Sequence, residues 1–364
     1  MLARWIAALA AFVIVILIGM ITIGNFATGV DTGNFFDTEG ANSFAFIGAI
    51  ALVVAFLVYA AVEYAQTGGF GSIASQFDTR TIVLMPIAVA INIILGATVA
   101  NALKLPIYLD SIGTILVGAL AGPVAGALTG FLSNVLWTYV VPPPFQNGPA
   151  AAFGIVAVVI GVFAGLAGRA GWLRPRPNRP IGELAIGGLV ALAIVFGLGI
   201  YAYVRFYAAG FEFFSPENTD PIFAVVGWLI GALFVTFVLG FLGLLFVRRD
   251  LTVAYVTVLG VVTGLVAALV SAPISANVFG GVTGGGTDFL VAAFRQGGAD
   301  LQTATFQQGL LSDPVDKLVT FFVVYLVLAA MARRTKARFP QGERLLEQRD
   351  AEDLEEGGWR GAAA

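Results

Sequence analysis

Seven residues of this sequence have the chemistry to hold a small molecule: Asn101, Tyr108, Asp110, Asn134, Trp137, Asn277 and Lys317. Aromatic rings can stack on a planar solute while amides, a carboxylate and an ammonium read its edge, the usual division of labour in a small-molecule site. All seven lie in or beside strongly apolar stretches. There a polar group must find a partner or a cavity, because a mid-helix Asp or Lys costs about 2.5–3.5 kcal/mol on membrane-insertion scales. Plainer roles compete for several of them. Tyr108, Trp137 and Tyr139 suit an aromatic belt at a membrane interface. Asp110 follows Pro106 and could cap a helix start, as could Asp313 or Asp316 further on. Asp316 and Lys317 are adjacent, so they are expected on different faces of a helix. Asn134 lies deeper in its stretch and has no capping role.

Other chemistries are missing. The 364 residues include no cysteine and no histidine, which removes thiolate nucleophiles, iron–sulfur clusters, the commonest zinc ligand and the usual proton relay near neutral pH. There is no Walker A motif, zinc-protease helix, G-x-S-x-G or paired carboxylate set. The glycine-rich run from Val278 to Asp288 lacks the Lys-Ser/Thr ending of a phosphate loop. Its glycines suit a sharp bend at the membrane surface, and Phe289, Leu290, Ala293 and Phe294 suit a short amphipathic helix after it. The expectation is a protein that binds without catalysing, with no cofactor, no metal and no nucleic-acid partner.

The elements that must position these residues are membrane helices. The chain is 59% hydrophobic and 11% charged, against roughly 45–50% apolar and about 25% charged for a soluble domain. Stretches able to cross about 30 Å of hydrocarbon recur near 5–24, 43–62, 82–102, 107–121, 123–140, 150–168, 181–206, 221–247, 251–272 and 316–333. The predicted fold class is all-α, a polytopic transmembrane helix bundle of about ten spans. The first stretch exceeds the usual 7–15-residue apolar core of a signal peptide and lacks a clear A-x-A site, so it reads as a retained span.

Residues 107–140 are long for one span and short for two, and Gly122-Pro123 offers a turn between them. Charge parity decides the matter. Basic clusters at Arg169, Arg174, Arg176 and Arg179, at Arg248 and Arg249, and at Arg333, Arg334, Lys336 and Arg338 all belong on the cytoplasmic side. Counting from Arg4, they agree only if 107–140 crosses twice or re-enters. Asp31, Asp37, Glu39, Glu212, Glu217 and Asp220 then fall outside. Both termini are expected in the cytoplasm of a multi-pass plasma-membrane protein, with a solvated polar tail from Gly342. The polar residues of five spans then share one depth, the outer half.

Small residues supply the packing. Gly118, Gly122, Gly126 and Gly130 recur every fourth position, and Ala88, Asn92, Gly96 and Ala100 repeat the spacing on an earlier span. Such faces let helices approach closely, within the chain or against another membrane protein.

Two sets of segments carry a family resemblance. One runs from Ala90-Ile91-Asn92 through Leu105-Pro106-Ile107-Tyr108-Leu109-Asp110-Ser111-Ile112-Gly113-Thr114 and Gly122-Pro123 to Ser133-Asn134. The other joins Ser271-Ala272-Pro273-Ile274, Val278-Phe279-Gly280-Gly281-Val282-Thr283 and Leu311-Ser312-Asp313-Pro314-Val315-Asp316-Lys317. Together they resemble the substrate-binding (S) component of an energy-coupling factor (ECF) transporter, over about 82–173 and 251–340. The resemblance implies a six-helix core that binds a vitamin-like micronutrient near the outer face. It implies a transmembrane coupling subunit and cytoplasmic ATPases as partners, so that this chain binds no ATP. It implies that Ala88, Asn92, Gly96 and Ala100 contact the coupling subunit, and that a gate falls at Leu103 to Pro106. Asn92 departs from the family's small-residue pattern.

The chain is accordingly divided into an accessory hairpin (1–65), the first half of the core (82–176), an inserted hairpin (177–250), the second half of the core (251–340) and a polar tail (341–364). The alternative reading is a membrane sensor that binds a small molecule and signals to a partner.

Overall fold

The computed structural model describes residues 2–23, 39–103, 105–208 and 235–347. Apolar chain in lipid can satisfy its backbone only internally, and helix is the local solution. A helix meets each expected span. They are α1 (Leu2–Ile23), α2 (Glu39–Thr67), α4 (Thr79–Gly96), α5 (Ile112–Ala121), α6 (Pro123–Tyr139), α7 (Gly154–Arg169), α8 (Ile181–Ala208), α9 (Val235–Val247), α10 (Thr252–Phe279) and α12 (Leu301–Ala330). Short helices α3 (Gly71–Ala74), α11 (Asp288–Gln296) and α13 (Arg333–Ala337) complete the order. Asp31, Asp37, Glu212, Glu217, Asp220 and residues 221–234 of the eighth expected span lie outside the described residues.

The protein is an all-α, multi-pass membrane bundle, with no strand among the described residues. α1, α2, α4, α8, α10 and α7 with the turn before it are each long and apolar enough to cross a bilayer. Ile6, Leu9 and Leu17 of α1, Ile82, Ile87 and Ile94 of α4, and Ile186, Leu189 and Ile200 of α8 stand exposed. Apolar surface on that scale belongs against lipid. α1 and α2 pack together around Ala8 and Tyr59, with Arg4 3.3 Å from the buried Glu63. α8 and α9 share a cluster of Leu184, Ala191, Phe241 and Leu245. Both hairpins flank a core of α4 to α7, α10 and α12.

All three basic clusters gather at one end. Arg179 N–H donates to the Arg249 carbonyl (3.3 Å), Leu251 N–H to that of Arg176 (3.2 Å), and Gln341 N–H to that of Leu120 (2.8 Å). The Arg344 guanidinium reaches the Arg169 carbonyl at 2.8 Å. The Gly122-Pro123 turn is at this end too, because Gln76 accepts from Val124 N–H (2.8 Å) and so caps α6. Residues 107–140 therefore do run in and turn back. α5 itself has 10 residues, about 15 Å or half the hydrocarbon thickness. The irregular chain at 107–111 makes up the rest of that expected span.

The structure corrects three readings. The tail does not become solvated at Gly342: Leu345 and Leu346 are each 1% exposed, packed at the basic end. Of the tail, residues 348–364 fall outside the described residues. The last span does not begin at Asp316. α12 starts at Leu301, where the Asp300 side chain accepts from Thr303 N–H at 2.9 Å. Those bonds from Thr303 hold the Asp300 carboxyl below its ordinary range. Asp313 and Asp316 are thus mid-helix, with no capping role. Finally, Ala88, Asn92, Gly96 and Ala100 do not face a partner protein, since all four are buried within this chain. Asn92 explains why, because an amide in the bilayer needs partners. It donates to Thr114 Oγ1 (2.8 Å) and Ser133 Oγ (2.9 Å) and accepts from Gly113 N–H (2.7 Å).

The other small-residue face is also spent internally. A Cβ added to Gly165 of α7 would lie 2.2 Å from Pro123 N, and one on Gly126 would lie 2.6 Å from Gly118 Cα. Gly165→Ala should therefore lower thermal stability in detergent by at least the 1–3 kcal/mol typical of overpacking. Gly182→Ala on α8, where a Cβ meets nothing within 4 Å, should leave the unfolding midpoint unchanged or slightly raised.

Candidate binding cavity

At the end away from the basic clusters, four stretches of irregular or short helical chain meet the helix ends. Asp316 organises the first, 105–111. It is fully buried, and its Oδ1 accepts from Tyr108 N–H (3.0 Å) and Leu109 N–H (2.7 Å). Non-helical backbone at membrane depth survives only where protein groups satisfy it, and here one carboxylate satisfies two successive amides. Leu109 has φ +52°, a left-handed conformation costly for a branched side chain. The two bonds to Asp316 flank and hold it.

The other oxygen of Asp316 pairs with Lys317 Nζ. The lysine side chain curls back along the helix to meet its neighbour, contrary to the expectation from helix faces alone. Lys317 also donates to Ser111 Oγ (2.9 Å) and lies 3.7 Å from Asp110. An ammonium in the bilayer thus ties α12 to the start of α5.

The second stretch, 141–153, is pinned by α6. Trp137 Nε1 donates to the Phe145 carbonyl (2.8 Å), and Thr138 Oγ1 donates to the Asn147 carbonyl and accepts from Ala151 N–H, both at 2.8 Å. Gly96 makes room for the indole, since a Cβ there would lie 2.4 Å from it. The third stretch, 280–287, crosses to the first. Tyr108 OH and Thr287 Oγ1 share a 2.7 Å hydrogen bond, and Gly286 N–H donates to the Ala100 carbonyl at 3.2 Å. Asp288 folds this loop by accepting from Thr283 and Gly284 N–H. The fourth, α11, packs Leu290, Val291 and Phe294 beside Ala304 of α12. The short helix expected after the glycines is present, with Phe289 on its exposed side.

The first three stretches and the helices beside them line a partly open cavity of about 90 Å³, room for several waters or one small solute at roughly 10–15 Å³ per water-sized probe. Six of the seven predicted residues line it: Asn101, Tyr108, Asp110, Asn134, Trp137 and Lys317. Asn277 does not. It is exposed, donates to the Pro273 carbonyl (2.9 Å) and accepts from Gln302 (2.6 Å). α10 runs on to Phe279, and Asn277 falls on the outward side of that extra turn.

Sequence reasoning missed Asn147, Phe153, Ser271 and the cavity role of Asp313, all of them lining residues. Asp313 was visible as an intramembrane acid but read as a cap. Ser271 donates to it at 3.0 Å, joining α10 to α12. The loop residue Asn147 carries no periodic signal. Among the described residues, no group of three or more His, Cys, Asp or Glu could hold a metal ion. No family model, curated protein or solved structure matches this chain.

Removing one partner of a buried ion pair costs about 3–5 kcal/mol. Asp316→Ala should therefore lower the thermal unfolding midpoint sharply in detergent, and it frees two amides besides. Asn277→Ala, at an exposed site, should leave both the midpoint and any solute affinity unchanged.

Proposed function

We propose that this chain is the solute-binding membrane subunit of an ECF-type importer for a vitamin-like micronutrient, with energy supplied by a separate coupling subunit and ATPases. The observation that carries this reading is the convergence of Asn101, Tyr108, Asp110, Asn134, Trp137 and Lys317 on one cavity. Two aromatics and several hydrogen-bonding groups around a small concave volume are what a solute site requires. The cavity lies at the opposite end from the basic clusters. With those clusters in the cytoplasm, it faces outward across the plasma membrane and both termini lie inside.

The resemblance of the 82–173 and 251–340 segments to ECF substrate-binding components supports the same reading. The cavity residues Tyr108, Asp110, Ser111, Asn134, Ser271, Thr283, Asp313 and Lys317 all fall within the motifs that carry it. Binding without catalysis fits the commitments of the polar groups, because Lys317 and Asp316 are engaged with each other and with the 108–111 backbone. A coupling subunit would dock on a face other than the Ala88–Ala100 one, which α5 and α6 cover. The flanking hairpins are candidates to replace or adjoin it.

Gentle purification followed by mass spectrometry of released small molecules tests the proposal. One compound at near-stoichiometric yield is expected. Asn134→Ala and Asp110→Ala should each reduce its retention about tenfold or more, a lost hydrogen bond at a buried site being worth roughly 1–3 kcal/mol. A folded protein that never retains or binds a small molecule would overturn the reading. Retention together with co-purification of a kinase would redirect it toward a sensor.

A further inference from the structure

We infer that the solute is a small organic cation carrying a planar ring, with its charge held against Asp313; this inference rests on the solute-binding reading above. Asp313 lines the cavity and is 5% exposed. Among the described residues its carboxyl group is met only by hydroxyls, Ser271 Oγ at 3.0 Å and Ser312 Oγ at 3.4 Å. No Lys or Arg nitrogen among the described residues comes within 4.0 Å of it. Lys317, the one cationic side chain on the cavity wall among the described residues, is already engaged by Asp316 and Ser111, with Asp110 at 3.7 Å.

Three carboxyl groups, Asp110, Asp313 and Asp316, thus surround one ammonium. A carboxylate withdrawn from water with no cation in contact is costly; the field of Lys317 reaches Asp313 but is shared with Asp316 and Asp110, and hydroxyls supply no charge. An anionic solute would worsen the imbalance, and a neutral one would leave it. A cation removes it.

Two features of the wall agree. The aromatic residues Trp137, Tyr108 and Phe153 line the same cavity, and the negative face of such rings attracts cations. Asn147, also on the wall, has its side-chain oxygen buried with no hydrogen-bond partner. An N–H of a protonated nitrogenous cation would meet this acceptor, a contact that the permanently charged probe below does without.

The test uses the full-length protein in detergent and two probes of the same shape. N-methylpyridinium is a planar ring with a permanent charge, and toluene is its neutral isostere. The thermal unfolding midpoint is followed against the concentration of each, in wild type and in Asp313→Asn, which keeps the side-chain shape and removes the charge. N-methylpyridinium should raise the wild-type midpoint saturably while toluene does not. Asp313→Asn should shift the half-effect concentration of the cation at least tenfold upward. Equal protection by toluene, no protection by the cation, or an unaltered response of Asp313→Asn would overturn the assignment. The comparison of probes in wild type needs no variant, so it decides even if Asp313→Asn fails to fold. A released compound that proves neutral or anionic would overturn the cation and leave solute binding standing. The absence of both a released compound and any probe response would overturn both.

Discussion

Asp316 is a carboxylate with no access to solvent in the middle of a membrane helix, and both of its oxygens are engaged. One oxygen accepts two backbone amides from an irregular segment, and the other pairs with an ammonium one residue along. Both ions are costly alone in this setting. Each becomes tolerable through the other and through Ser111 and the 108–109 backbone. The arrangement of the cavity depends on this. Without an acceptor inside α12, the chain between α4 and α5 could not leave helical geometry at membrane depth. Tyr108, Asp110 and Ser111 would then have no reason to stand where they do.

The two ends of the bundle obey different physics. At the basic end, turns are short and closed by side chains: Gln76 caps α6, and the segment around Leu345 and Leu346 covers the ends of α5 and α7. Gly118, Gly126 and Gly165 let α5, α6 and α7 meet almost backbone to backbone. At the other end the helices part, and polar side chains replace glycine as the linking agents. Asn92 stands between these regimes, joining α4 to α5 and α6 by three hydrogen bonds. Backbone-close packing thus holds one end of the bundle and side-chain hydrogen bonds to irregular chain hold the other.

Much of this was legible in the sequence. Lipid imposes helices on apolar chain, so the spans could be read from hydropathy, and the parity of arginine clusters required the turn at Gly122. The cavity was legible as a depth at which polar residues recur. What the sequence could not convey was direction. Asn277 shares that depth but points out of the bundle, and rotation about a helix axis is set by packing that hydropathy does not encode. Ala88, Asn92, Gly96 and Ala100 form a small-residue face whichever neighbour they meet, and only the bonds of Asn92 identify that neighbour as the chain's own α5 and α6. The start of α12 was hidden because residues 301–312 are too polar to read as membrane helix. They stay helical through the Asp300 cap and the packing of α11.

The cover over the cavity is thinly attached. Hydrogen bonds from Tyr108 to Thr287 and from Gly286 to Ala100 join the 280–287 loop to the chain it closes upon, each worth about 0.5–1.5 kcal/mol net. Breaking both costs on the order of 2 kcal/mol, and the packing of Gly281 against Val291, Leu301 and Thr305 adds to the attachment. On the solute-binding proposal, a cover that parts by breaking so few polar bonds leaves the dwell time of a bound molecule to the groups within the cavity.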